Sequence, residues 1–244
     1  MSTVLELNPR LLPEAKREDV PVEAAWQRAD FATFEACHFS PPIAEEQIGG
    51  LIRQVFLQKG KKRARQVLFS AVDEDANIAN LCMMIGNALN RHDSGTTCVV
   101  EAVPRSSAKR VHTIQDPIAR QPKFGTLRDA AQQLSDRLWF MTTEMLREDG
   151  ARHWSASWIR GRLAELRLDF DYTVLQGPAA GSHDDACLLA SLCDGIVLVL
   201  RANSTRRMVA AKIKEKLHSA DVRILGAVMT ERTFPIPETI YRKL

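Results

Sequence analysis

The chain has 244 residues, 45% of them apolar and 26% charged, with a formal net charge of +3. That length and balance describe a globular chain with a substantial core and exclude a fibrous or disordered one. A charge of +3 is too small to call for a nucleic-acid partner by itself. No apolar run approaches the ~18 residues a membrane-spanning helix needs. The N-terminal MSTVLELNPRLLPEAKRED has neither the basic start nor the apolar centre of a secretory signal, so the expected location is cytoplasmic. Five cysteines (Cys37, Cys82, Cys98, Cys187, Cys193) form no CxxC pair and are expected as reduced thiols.

Residues 1–40 are charged and punctuated by Pro9, Pro13 and Pro21, which predicts an N-terminal extension with one short helix around 24–35. The remainder, 41–244, is expected to form a single domain. After Pro41-Pro42, Ile48, Leu51, Ile52, Val55 and Phe56 recur at helical spacing and predict a helix over 43–57, weakened by Gly49-Gly50. The basic stretch KGKKRAR (59–65) is expected as a solvated connection, with contact to phosphates or an anionic membrane as its functional alternative. Strands are then predicted at 67–69, 97–100, 138–141, 172–175, 195–201 and 223–229. Helices are predicted at 76–91, 126–137, up to 168 from a cap at Ser155 or Ser157, and 205–218. The stretch 105–123 is basic, contains proline and is expected as a loop. Alternating units of this kind with continuously apolar strands predict a mainly parallel sheet covered on both faces, a three-layer α/β/α sandwich.

Ligands in such sheets bind beyond the carboxyl ends of the strands. The first of these ends reads VLFSAVDEDANIANL (67–81). A phosphate loop at that place needs glycines for backbone N–H groups to close on phosphate. It also needs a lysine for the β and γ charges, and a hydroxyl for Mg²⁺. The turn after Ser70 has none of the glycines and no lysine; Asp73, Glu74 and Asp75 stand there instead. At an effective dielectric of about 20, each like-charge contact with a triphosphate at about 4 Å costs on the order of 4 kcal/mol. Asp73 or Asp75 is expected to cap the following helix, in the role of an external phosphate.

The order of segments resembles the bacterial tyrosine kinases (BY-kinases) of capsule and exopolysaccharide systems, part of the MinD/ParA group of P-loop ATPases. FDYTVLQGPAAGSHDDACLLASLCDGIVLVLRANSTRR (170–207) is similar to that family's Walker B strand, turn, Asp-Ala helix start and next core strand. VRILGAVMTER (222–232) resembles its base-contacting strand, and FSPPIAEEQIGGLIRQVFL (39–57) the helix leading into the kinase domain. The resemblance implies a P-loop NTPase fold and also marks departures. The Walker A loop is substituted and shorter, ending in Ala79-Asn80-Leu81. The second acidic motif is Glu101, and the Walker B aspartate is Gln176, an amide that cannot supply charge to Mg²⁺. Thr230 stands at the base-contacting asparagine, while Asp185-Ala186 keeps the helix start. Of the oligomerisation motif Glu46 remains, with Gly49 and Ile52 at its arginine positions. The tyrosine-rich tail is reduced to Tyr241.

Together these substitutions imply a scaffold without phosphoryl transfer, with no bound cofactor. It would act through protein partners in exopolysaccharide biosynthesis: a membrane polysaccharide chain-length regulator, an active kinase homologue or further copies of itself. Such a protein is expected in the cytoplasm, recruited to the inner face of the cell membrane. Two alternatives stand beside it. One is an atypical ATP-binding tyrosine autokinase or ATPase using Arg105, Lys109 and Arg110. The other is a MinD/ParA-like module that binds DNA or anionic membrane through residues 59–65. Trp154 and Trp158, at i, i+4, are either a partner-binding ledge or a half-buried helix face. His183, Asp184, Asp185 and Cys187 are either a metal site or an ordinary helix start, and the resemblance favours the helix start.

Overall fold

The computed structural model describes residues 4–6, 42–57, 63–74, 78–103, 126–146 and 154–230. Eight strands form one sheet: β1 (Val4–Glu6), β2 (Gln66–Ala71), β3 (Thr97–Glu101), β4 (Gln132–Ser135), β5 (Leu138–Met141), β6 (Tyr172–Gln176), β7 (Gly195–Arg201) and β8 (Ile224–Thr230). Their spatial order is β1-β8-β7-β2-β6-β3-β5-β4. Every neighbouring pair is parallel except β4 with β5. The mainly parallel α/β architecture expected from the sequence is what forms.

Alternation along the strands divides the core between the two faces, as a pleat with period two requires. Val67, Phe69, Val99, Val174, Val197 and Val199 face one way. They pack with Ile48, Leu51, Ile52 and Val55 of α1 (Pro42–Val55) and with Leu81, Cys82, Ile85 and Leu89 of α2 (Ala79–His92). Leu68, Cys98, Val100, Leu175, Ile196 and Leu198 face the other way. There they meet Ile159, Leu163 and Leu166 of α4 (Ala156–Asp169), Ala186, Leu189 and Ala190 of α5 (Asp185–Leu192), and Ile213 and Leu217 of α6 (Arg207–Ser219). Burial on both sides explains why β2 has no exposed residue.

Three expectations need correction. The helix predicted over 126–137 is a single turn, α3 (Leu127–Ala130), followed by β4. Thr126 and Asp129 form a capping box that starts the turn. The chain then pairs Gln132 with Phe140 and Gln133 with Trp139, and Asp136-Arg137 make the bend of a hairpin. Strand pairing to β5 overrides the helical spacing of Leu127, Ala131 and Leu134. Ser155 does stand at the start of α4, but neither it nor Ser157 caps the helix; their hydroxyls bond each other at 2.9 Å. Finally, Val4–Glu6 pairs in parallel with β8, so the sheet begins inside the stretch expected to be an extension. The predicted helix at 24–35, the loop at 105–123, Asp75, Cys37 and Tyr241 lie outside the described residues.

At the amino ends of the strands a polar tie fixes β2 against α4 and β7. Arg167 donates to Gln66 Oε1 at 2.7 Å and to Asp194 Oδ1 at 2.8 Å. Asp194 Oδ2 accepts from the amides of Arg65 and Gln66 at 2.8 and 2.9 Å. Arg65 itself donates to the Asp171, Phe170 and Arg167 carbonyls. This last residue of the basic stretch is thus part of the fold rather than a solvated charge. The candidate site lies at the opposite, carboxyl edge of the sheet.

Candidate functional site

Strand β2 lies between β6 and β7, the two strands that follow one another in the chain on either side of it. That crossing makes the carboxyl end of β2 the switch point of the sheet, the place where open α/β folds hold ligands. Register brings Glu101 of β3 beside Gln176 of β6, and Gln176 beside Phe69 of β2. The structure therefore gathers Ser70, Glu101 and Gln176 along one edge, as the sequence implied, with Thr230 further along it, beside Arg201 of β7.

At the carboxyl end of β2 the described residues bond to the turn that follows β6. Ser70 is fully buried, and its hydroxyl donates to the Pro178 carbonyl at 2.6 Å. The Gly177 amide donates to Phe69 O and the Ala180 amide to Ala71 O, both at 2.8 Å. Gly181 then lies so close to the loop that a Cβ on it would stand 2.4 Å from the Val72 carbonyl oxygen. The turn after β6 is in this way stitched to the end of β2 by three hydrogen bonds and one contact only glycine permits.

Asp73 is not the cap of α2. Its carboxylate accepts a hydrogen bond from the Thr205 hydroxyl, and Thr205 Oγ1 in turn accepts from the Arg201 amide at 2.9 Å. The acid thus clasps the loop after β2 to the loop after β7. Helix α2 starts at Ala79, later than the sequence spacing suggested, with Ile78 at its cap position and no side-chain cap there. Glu74 is exposed and lies 3.8 Å from His183 Nε2. The Thr143 hydroxyl accepts from the Val103 amide and shares its one proton between Glu101 O and Val103 O, which fixes the end of β3. Thr205 and Thr143 escaped the sequence analysis because their partners are 132 and about 40 residues away, and no local pattern marks such pairings.

The remaining candidates separate from this edge. Asp185 opens α5, but Asp184 is drawn to Lys216 Nζ at 2.5 Å, which holds its carboxyl below the usual range. Burial raises the Cys187 thiol above its ordinary pKa, a poor state for a metal ligand. Among the described residues no three His, Cys, Asp or Glu side chains gather closely enough to hold a metal ion. Glu46 is exposed on α1, whereas Gly49 and Ile52 point inward, Gly49 toward His92 and Ile52 into the core. Trp154 is half-buried against the core, and Arg162 lies 5.2 Å above the Trp158 ring. The indole nitrogens of both tryptophans are buried, with no hydrogen-bond partner among the described residues.

With this geometry the chain can be compared with known proteins. No family model matches it. Over 62 residues it is 36% identical to the tyrosine-protein kinase CpsD of Streptococcus agalactiae, covering 25% of this chain and 27% of that protein. Over 108 residues it is 28% identical to the tyrosine-protein kinase YwqD of Bacillus subtilis, covering 44% of this chain and 46% of that one. The chain thus spans between about a quarter and a half of the length of the curated relatives it matches. Among solved structures, the kinase domain of the Escherichia coli tyrosine kinase ETK superposes with a TM-score of 0.63 at 12% identity, over 96% of this chain and 92% of that one. The chimerical protein CapA2B2 gives 0.63 at 14%, over 84% and 90%. The MinC:MinD complex of Aquifex aeolicus gives 0.52 at 17%, over 74% and 72%.

The fold is that of the BY-kinase and MinD domains. No helix among the described residues is long and apolar enough to cross a membrane.

Proposed function

We propose that this chain is a BY-kinase-like scaffold of exopolysaccharide biosynthesis, which works through protein contacts and has lost phosphoryl transfer. The observation that carries it is the set of hydrogen bonds that ties the end of β2 to the turn after β6 and to the loop after β7. Ser70 is turned onto Pro178, Ala180 is bonded to Ala71, and the Asp73 carboxylate stands on the Thr205 hydroxyl. A triphosphate there would have to displace those hydrogen bonds and then lie against Asp73 and Glu74, at an electrostatic cost of several kcal/mol, on the order of 4 for each close contact. Gln176 adds no charge to hold Mg²⁺. The similarity to CpsD and YwqD supports the family and the pathway.

A scaffold of this kind would meet a membrane polysaccharide chain-length regulator or an active kinase homologue, and be drawn in this way to the inner face of the cell membrane. The similarity to two tyrosine-protein kinases favours a second reading, an ATP-dependent tyrosine kinase with an unusual phosphate site. Calorimetric titration with ATP and ADP, with and without Mg²⁺, separates the two. Absence of binding at millimolar nucleotide supports the scaffold. Magnesium-dependent micromolar binding, followed by tyrosine phosphorylation, would overturn it.

A further inference from the structure

We infer that the outer face of α6 is a docking surface for an acidic, apolar-anchored segment of a partner protein; this deepens the scaffold reading and rests on it. Helix α6 meets the core only through Ile213 and Leu217. The rest of its surface is open. Arg207, Ala211, Lys214 and His218 form one exposed row at helical spacing, and Met208, Lys212, Glu215 and Ser219 the next. Arg206 precedes them at the cap position.

Within the described residues no ion pair uses Arg206, Arg207, Lys212 or Lys214, so four cations stand there against the single carboxylate of Glu215. Lys216, by contrast, is neutralised by Asp184. Two of these cations sit at the helix start, with no acidic residue in the first turn, where the macrodipole disfavours positive charge. Beside them Met208 is 70% exposed and Val209 37%. Unpaired cations in an unfavourable place, around an adaptable thioether, gain nothing within the fold and match a partner that brings carboxylates and an apolar side chain.

The apolar stripe of α6 decides against a lipid occupant. A helix that lies in a membrane surface buries a broad apolar face in it. Here that stripe is already packed on the sheet, and Met208 and Val209 are the large apolar side chains of the helix that remain exposed. The surface also stands beside the Asp73–Thr205 clasp, because Thr205 and Arg206 adjoin in the chain, so an occupant would bear on the edge described above.

The test uses the full chain and a fluorescein-labelled peptide of repeating Glu-Leu-Glu-Glu units, followed by anisotropy. Saturable binding is expected, weakened about tenfold or more by the Arg206→Glu/Arg207→Glu pair and largely kept by Arg206→Lys/Arg207→Lys. Met208→Ser is expected to weaken it severalfold at unchanged salt dependence. Should the first pair fail to fold, Lys212→Glu/Lys214→Glu reads the same face. No binding, or binding unchanged in these variants, overturns the proposal. Charge-dependent binding instead to vesicles of phosphatidylcholine and phosphatidylglycerol in equal parts also overturns it, in favour of a membrane. So does self-association that the same variants abolish, in favour of a second copy. Nucleotide binding found by calorimetry would remove the scaffold reading while leaving the peptide result to stand, so the two failures are distinct.

Discussion

Asp194 illustrates how a single carboxylate holds three elements, since Arg167 and two amides of the β2 strand region converge on it. Burial raises its pKa, but the bonds from Arg167, Gln66 and Arg65 outweigh burial and leave it below the usual carboxylate value. A group with a depressed folded pKa stabilises the protein above its unfolded pKa, and that stabilisation is lost as pH falls through the folded pKa. Asp194→Asn is therefore expected to lower stability at neutral pH by about 1–3 kcal/mol in urea titrations. The gap to the parent protein should narrow as pH drops below about 4. A gap that stays constant into acid would assign the effect to packing instead. At the candidate site the corresponding residue is Gly181. Any Cβ there meets Val72 O at 2.4 Å, so Gly181→Ala should cost about 1–3 kcal/mol by parting the β6 turn from β2. Ser70→Ala removes one hydrogen bond and should cost about 1 kcal/mol. A Gly181→Ala protein as stable as its parent would mean that the turn is not seated on β2 as described.

Helices α2 and α4 each carry a glycine in mid-helix, and the two positions have opposite meanings. In α2, a Cβ on Gly86 would lie 2.6 Å from Val99 Cγ2, so glycine is what lets the helix approach the sheet. In α4, a Cβ on Gly161 meets nothing within 4 Å. Glycine costs a helix interior about 1 kcal/mol relative to alanine. Gly161→Ala is accordingly expected to raise stability by about 0.5–1 kcal/mol, or some ~2–4 °C in Tm for a chain of this size. Gly86→Ala is expected to lower it by about 1–3 kcal/mol. Thermal melts of the two variants should move in opposite directions, and a common direction would contradict the packing of α2 on β3. The same logic governs α1. Ile52 is wholly buried, so an arginine there would strand a charge in the core, whereas Glu46 is exposed and open to change. Side chains as large and charged as arginine therefore do not fit the inward positions Gly49 and Ile52 of this helix.

For the molecule as a whole, the sheet was legible because both of its faces are buried, and continuous apolar runs such as Val67–Phe69 and Gly195–Leu200 have no other use in a chain with this composition. The hairpin at 132–141 was not, because Leu127, Ala131 and Leu134 satisfy a helical spacing that only the pairing of Gln133 with Trp139 overrules. The site divided in the same way. Its strand ends could be read from Ser70, Glu101 and Gln176, but the Asp73–Thr205 clasp joins loops 132 residues apart and leaves no local trace. Its effect belongs to the whole fold, because ligand binding to the folded state raises stability by RT ln(1 + [L]/Kd). A nucleotide bound with a micromolar constant and supplied at about 100 times that constant would add about 2.7 kcal/mol. For a chain of this length each kcal/mol is worth roughly 2–4 °C, so Mg-ATP would lift the melting temperature by about 5–10 °C. The scaffold proposal predicts a melt that stays within about 1 °C at millimolar Mg-ATP, a shift corresponding to less than ~0.5 kcal/mol. Differential scanning calorimetry decides the matter. An unmoved transition means that the folded chain does not bind the nucleotide under these conditions, and a rise of several degrees means that it does and that the scaffold proposal fails at its first step.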